Sequence, residues 1–309
     1  MFATVSKGAF HLLARSRTLK DLSARYGMRR PSSFARRFVA GETIEEAIEA
    51  VKRLEAQRLF HTLDFLGEGV STLAEAQGAA REYQRIIDAV IEAGIGRNLS
   101  IKLTQLGLDV DRATAVDNLR RILDSGSGFF VRIDMENSPY TDVTLDIFDT
   151  VWDQGYRNVG VVLQADLYRT ERDLERVIHR GVRVRLVKGA YVEPRAVAYP
   201  RKADVDAAYR RLTERLIRHG TYPAIATHDT AMLEHAKHVA STYGITREKF
   251  EFQMLFGIRR DLQSRLASEG YNVRVYVPFG RQWFPYFMRR LGERPANVLF
   301  VWRSLLREG

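Results

Sequence analysis

The segment VRVRLVKGAY (182–191) is a short, apolar, β-branched run that ends in polar residues, and its cadence repeats along the chain. LDFLGE (63–68), LSIKLT (99–104), FFVRIDME (129–136), VGVVLQAD (159–166), AIATHD (224–229), FEFQML (250–255) and VRVYVP (273–278) have the same form, each about a helix away from the next. Strands alternating with segments of helical period call for a parallel sheet, because each parallel connection must cross back over the sheet, usually as a helix. Eight such units predict an α/β fold, a closed (β/α)8 barrel of TIM type. In that fold the C-terminal ends of the strands converge on one face, where chemistry is done. Lys102, Asp134, Gln164, Arg185, Lys188, His228, Gln253 and Tyr276 then all face one polar, basic cup.

Between the strands, helix signals are frequent. Thr43 with Glu46, and Thr72 with Glu75, read as capping boxes, each followed by apolar residues at helical spacing. The second of these helices stops at Gly94. Further helices are expected near 112–124, 142–153, 171–180, 204–218, 230–242 and 258–268, with Gly181, Gly220 and Gly270 closing three of them. After the last strand, GRQWFPYFMRRLGERP (280–295) reads as a helix with Pro285 in its first turn and Pro295 just beyond its end. On it Tyr286, Arg289 and Glu293 share one stripe, with Arg290 about 100° around. Two guanidiniums at the mouth of a basic cup suit bidentate capture of a carboxylate.

The length of 309 residues, 45% of them hydrophobic, accommodates one barrel plus an appendage. We divide the chain into a basic N-terminal helical arm (1–55) and a barrel (56–309). No apolar run is long enough to span a bilayer, and no secretory signal pattern opens the chain. The absence of cysteine excludes disulfides, thiolate metal sites and cysteine nucleophiles. The net charge of +10 is concentrated at the start: residues 1–40 hold nine Lys or Arg against Asp21 alone. Such an arm is a solvated segment, a transit-peptide-like stretch, or an electrostatic contact with anionic lipid, where each basic residue contributes about 1 kcal/mol. Nucleic acid is not expected as a partner. His235 and His238 have ligand-like spacing but no third ligand, so no metal is expected. No glycine-rich nucleotide motif follows any strand.

Five motifs occur together and in order: RLVKGAYVE (185–193), ATHD (226–229), FEFQML (250–255), VRVYVPFG (273–280) and FMRRLGE (287–293). Through them the chain resembles the proline dehydrogenase family in its single-activity bacterial form, over about residues 55–295. The resemblance implies an FAD-dependent barrel that oxidises L-proline to Δ1-pyrroline-5-carboxylate by hydride transfer to flavin N5 and passes electrons to a membrane quinone, the first step of proline catabolism. It implies that Lys102, Arg289 and Arg290 hold the proline carboxylate, and that Tyr276, Leu255 and Tyr191 pack on the ring. It further implies that Asp134 is a buried acid beside the lysine and that Glu68 gates the pocket by pairing with an arginine. Gln164, Arg185, Lys188, Gly189, Ala190, Thr227, His228 and Gln253 match positions that hold the flavin, with Arg185 near N5. A cytoplasmic protein is implied, with peripheral contact at the inner face of the membrane and a pyrroline-5-carboxylate dehydrogenase downstream.

Proline is a zwitterion with a small apolar ring, so its site needs fixed positive charge at one end and apolar walls at the other. The sequence offers both. Duller readings stand beside this one: Lys102 and Asp134 as a buried ion pair, His228 as a satisfied core histidine. Two other functions also compete. One is a barrel lyase or aldolase using Lys102 or Lys188 as a Schiff-base amine; the other is an anionic-surface binding protein acting through its arm.

Overall fold

The computed structural model describes residue 28 and residues 34–67, 69–126 and 128–292, with side chains as far as 288. Eight strands form a closed barrel in chain order: β1 (Phe60–Phe65), β2 (Asn98–Ile101), β3 (Phe130–Ile133), β4 (Val159–Gln164), β5 (Val184–Val187), β6 (Ala224–Ala226), β7 (Glu251–Leu255) and β8 (Asn272–Phe279). Every neighbouring pair is parallel. The barrel closes where β1 pairs with β8, from Phe60 opposite Arg274 to Phe65 opposite Phe279. Helix α1 (Ile44–Glu55) precedes β1. Seven crossover helices follow: α2 (Leu73–Ala93), α3 (Arg112–Ser125), α4 (Thr141–Asp153), α5 (Thr170–His179), α6 (Lys202–His219), α7 (Thr230–Thr242) and α8 (Arg260–Ser268). A last helix, α9 (Trp283–Gly292), follows β8. The predicted architecture and helix spans are those observed, with ends displaced by a residue or two. No helix among the described residues is long and apolar enough to cross a membrane.

Strand periodicity sorts the side chains. Leu63, Leu99, Val131, Ile133, Val161, Val184, Leu186, Ile225, Phe252, Val273 and Val275 are buried in one large apolar cluster with the inner faces of the helices. The alternate positions point into the lumen and share rungs across the register: Asp64 lies opposite Ser100, Ser100 opposite Arg132, Arg132 opposite Gly160. The next rungs pair Val162 with Arg185, Arg185 with Ala224, Ala224 with Glu251, Gln253 with Arg274, and Tyr276 with Thr62. Barrels of this type usually fill their lumen with branched apolar side chains. Here the apolar residues face the helices and the lumen is charged. Gly160 makes this possible on β4, because a Cβ there would collide with the Arg183 carbonyl, the Phe130 ring and the Arg132 guanidinium.

The helix ends follow the signals in part. Thr72 and Glu75 form a complete capping box, and Gly94 ends α2 in the left-handed region at φ 66°. At α1 only half the box forms. Thr43 accepts from the Glu46 amide, but the Glu46 carboxylate turns to the Glu42 amide and to Arg36 at 2.7 Å. A guanidinium within reach outcompetes the weaker neutral donor.

Phe252, fully buried and edge-on to Phe250 at 5.4 Å, anchors the outer core beneath β7. Replacing it with alanine is expected to cost about 3–5 kcal/mol, read from the midpoint of denaturant unfolding.

Candidate active site

A cavity of about 590 Å³ opens at the C-terminal ends of the strands. Its wall includes Lys102, Asp134, Gln164, Arg185, Lys188, Gly189, Ala190, Tyr191, Thr227, His228, Gln253, Leu255 and Tyr276. All eight residues expected to face the cup from strand ends therefore meet there, with Gly189, Ala190, Tyr191, Thr227 and Leu255 beside them. Val162, Val187, Ala226 and Met254 give it apolar patches. Tyr286 of α9 also lines it, although the sequence reading placed that residue only on a helix stripe. Glu68 and the side chains of Arg289 and Arg290 lie outside the described residues.

Asp134 organises the floor. One of its oxygens accepts from Arg185 at 2.6 Å and the other from the Tyr276 hydroxyl at 2.7 Å, with Lys102 Nζ 3.9 Å away. Arg185 is held on every side. Its Nε donates to Gln253 Oε1 at 2.6 Å, another nitrogen donates to Ser100 at 2.9 Å, and the guanidinium lies 5.3 Å from the centre of the Tyr276 ring. Burial, then the charges of Asp134 and Asp64, push the Tyr276 phenol well above its ordinary value, so it stays protonated and donates. Lys102 and Asp134 are thus in a buried ion-paired group, as expected. The closer acid to Lys102 is nevertheless Asp64, at 3.2 Å.

Beneath this layer lies a second one. Gln253 donates to Glu251, which accepts from Arg274 at 2.9 Å, and Arg274 donates to the His61 carbonyl at 2.7 Å. Burial is the largest single influence and raises the Glu251 carboxyl, but the charge and hydrogen bond of Arg274, the Gln253 hydrogen bond and the Arg132 charge together outweigh it, and the net shift is downward. Arg132 donates to the carbonyls of Val161 and Arg183, at 3.2 and 2.6 Å. Burial, together with Arg185 and Arg274, pushes it well below the usual arginine range. The Gln253 amide joins the two layers: its oxygen receives Arg185 and its nitrogen is pinned by Glu251.

At the rim, Lys188 is clamped by Asp206 of α6 at 2.5 Å and by Asp229, the cap of α7, at 2.7 Å. The Lys188 hydrogen bond is the main reason the Asp229 carboxyl lies below its usual range. Gly189 follows at φ +118°, and a Cβ there would occupy the Asp166 carboxylate. The chain can pass this close to Asp166 only without a side chain. His228 Nε2 accepts from the Leu255 amide at 2.9 Å, which leaves Nδ1 as the donor of the neutral ring and fixes His228 by a hydrogen bond to β7. Gln164 donates to the Glu136 carbonyl at 3.1 Å.

Sequence reasoning missed Asp64, Ser100, Glu251 and Arg274, although strand alternation could have found them: Ser100, Glu251 and Arg274 each lie two residues before a strand-end position, and Asp64 lies across the register from Ser100. Asp206 carried no such signal, since it comes from a helix that meets Lys188 only in space, whereas Asp229 ends the AIATHD run but its pairing with Lys188 was not foreseen.

This arrangement can hold an anion between fixed cations and set an acceptor-rich planar group against Arg185, Gln164 and the backbone at Gly189. Comparison with known proteins gives a consistent result. The family model described as "Proline dehydrogenase" matches residues 47–303. Proline dehydrogenase 1 of Bacillus subtilis strain 168 is 42% identical over 301 residues, covering 97% of this chain and 98% of that one. Proline dehydrogenase of Deinococcus radiodurans is 44% identical over 281 residues, covering 89% and 91% respectively. Among solved structures, proline utilization A from Bdellovibrio bacteriovorus, inactivated by N-propargylglycine, matches with a TM-score of 0.77 and 28% identity. It is matched over 83% of this chain, which spans only 32% of that longer one.

Removing Asp134 would leave Arg185 without its carboxylate partner in the lumen, while Lys102 keeps Asp64. Asp134→Ala is expected to destabilise the fold by about 3–5 kcal/mol in chemical denaturation; a loss below about 1 kcal/mol would show that the lumen charges do not depend on it.

Proposed function

Because this chain belongs to the proline dehydrogenase family and is therefore an oxidoreductase acting on proline, we propose that its barrel mouth oxidises L-proline to Δ1-pyrroline-5-carboxylate with FAD as cofactor. A membrane quinone would accept the electrons, and a pyrroline-5-carboxylate dehydrogenase would take the product. The reading rests most on one observation: Lys102 and Arg185, fixed cations, line the same cavity as the apolar walls of Leu255 and Met254. A zwitterion with an aliphatic ring needs that pairing. The family assignment decides against the Schiff-base lyase and the anionic-surface binding protein as the main activity.

In this reading Lys102, Arg289 and Arg290 bind the substrate carboxylate, and Tyr276, Leu255 and Tyr191 pack on the ring and exclude water from it. Charge-assisted hydrogen bonds contribute about 1.5–3 kcal/mol each, so the carboxylate clamp is the main affinity term. Glu68 closes the pocket by pairing with one of the arginines. Asp134 orients Lys102, Arg185 and the Tyr276 hydroxyl at once, because its two oxygens serve all three.

The donor set fits a flavin. Arg185 presents a rigid cation for the edge of the ring that gains negative charge, and Gln164, Thr227, His228 and Gln253 supply polar atoms around it. Lys188, with the bare backbone at Gly189 and Ala190, suits the phosphates. When bound, a flavin supplies the acceptor for the hydride leaving the ring carbon next to nitrogen. The basic arm within residues 1–55 provides the contact with an anionic membrane face, and the barrel over 56–309 provides the catalysis.

The purified chain is expected to be yellow, to absorb near about 450 nm as oxidised flavins do, and to bleach anaerobically with L-proline. Protein that stays colourless with added FAD would overturn the cofactor reading. Arg289→Met and Arg290→Met are each expected to raise KM for proline by about ten- to hundredfold with flavin still bound, since each removes one charge-assisted contact. An unchanged KM in both would place the carboxylate elsewhere.

A further inference from the structure

Lys102 lines the cavity, whereas Asp64 lies behind it, outside the wall, with a side chain only 1% exposed. Asp64 Oδ1 accepts from Lys102 at 3.2 Å, and Asp64 Oδ2 is buried with no hydrogen-bond partner among the described residues. The neighbouring acid is differently placed. Asp134 has Arg185 at 2.6 Å and the Tyr276 hydroxyl at 2.7 Å, so its charge is compensated without Lys102. Among the described residues Asp64 has one cation in ion-pair reach, and that cation is the one the cavity presents to a ligand.

The groups facing Asp64 come from several elements. Lys102 follows β2, Asp134 follows β3, Tyr276 is on β8 and Tyr83 is on α2. Burial pushes the Asp64 carboxyl up and Asp134 adds to that, while Lys102 and the Tyr276 hydroxyl pull it down; the net direction is upward. Asp64 also helps to hold the Tyr83 phenol, itself fully buried, well above its ordinary value. Neither phenol supplies a compensating charge.

We infer that Asp64 is a proton-linked positioning residue for Lys102: when a ligand carboxylate engages the Lys102 ammonium, Asp64 Oδ2 takes up a proton, and the anion and the proton bind together. A ligand carboxylate that draws on the Lys102 charge leaves Asp64 with a smaller share of its one counter-ion, and a buried carboxylate whose compensation weakens is relieved most simply by forming an O–H bond. The proton comes from solvent or buffer, and no electrons change hands. This rests on the reading above in which Lys102 holds the substrate carboxylate. It adds that substrate affinity is tied to pH through a residue the substrate does not touch. The sign follows from mass action: binding that consumes a proton weakens as pH rises, by up to tenfold per unit.

The test uses the full chain and cyclopentanecarboxylate, a ring carboxylate without the nitrogen through which oxidation proceeds. Calorimetric titration in buffers of different ionisation enthalpy is expected to show uptake approaching one proton per ligand in the wild type, with Kd rising as pH rises. Asp64→Asn, which keeps a polar partner for Lys102, is expected to bind with no proton uptake and a flat pH profile. Infrared difference spectra of the wild type are expected to gain a carboxylic-acid carbonyl band when ligand is added, a readout that does not depend on the variant folding. Zero uptake in the wild type, equal uptake in Asp64→Asn, or no new band would overturn the inference. Absence of cyclopentanecarboxylate binding at any pH, with proline oxidation intact, would overturn it alone; absence of both binding and oxidation would also sink the proposed function.

Discussion

The structure depends on keeping charges paired inside the barrel. Asp64, Lys102, Arg132, Asp134, Arg185, Glu251 and Arg274 are buried in or at the mouth of the lumen, where each unsatisfied charge would cost several kcal/mol. Asp134 is the hinge of the arrangement, since it bonds to Arg185 and the Tyr276 hydroxyl and lies within ion-pair reach of Lys102. The strands carrying these groups are held in register by the apolar cluster outside them, so the hydrophobic wall and the polar lumen support one another. A barrel with an apolar lumen would be simpler to stabilise but would have no floor of fixed charge to offer a zwitterion.

This gives the two layers different tasks. The lower layer, Arg274 with Glu251 and then Gln253, sets the Gln253 amide one way round. With that orientation fixed, the Gln253 oxygen is available to Arg185 Nε. The upper layer then faces the cavity with a guanidinium whose plane is already determined by three hydrogen bonds, with the Tyr276 ring beside it. Preorganisation of this kind stabilises charge that develops in a reaction without a reorientation cost at that moment. At the rim, Lys188 is held by Asp206 and Asp229, which fixes its ammonium next to Gly189.

Much of this was legible in the chain. The period-two runs announced eight strands, and the polar residue at the end of each run announced the cup: Lys102, Gln164, His228 and Tyr276 all line the one cavity. Where the reading fell short, the competing interaction lay far away in sequence. The Thr43 box stayed half-made because Arg36 reaches the Glu46 carboxylate. Asp134 seemed the natural partner of Lys102, yet Asp64, 38 positions earlier than the lysine, is nearer.

What the sequence determined by itself was the fold and which strand-end residues line the cavity, because hydrophobic period and strand-end position are local properties that each segment carries on its own. What only the tertiary structure decided was the pairing. Tyr276 meets Asp134 across 142 positions and Arg185 meets Ser100 across 85, and no local pattern encodes which of several acids a buried cation will choose. That choice is made by distance across a closed lumen, which exists only after all eight strands have come together.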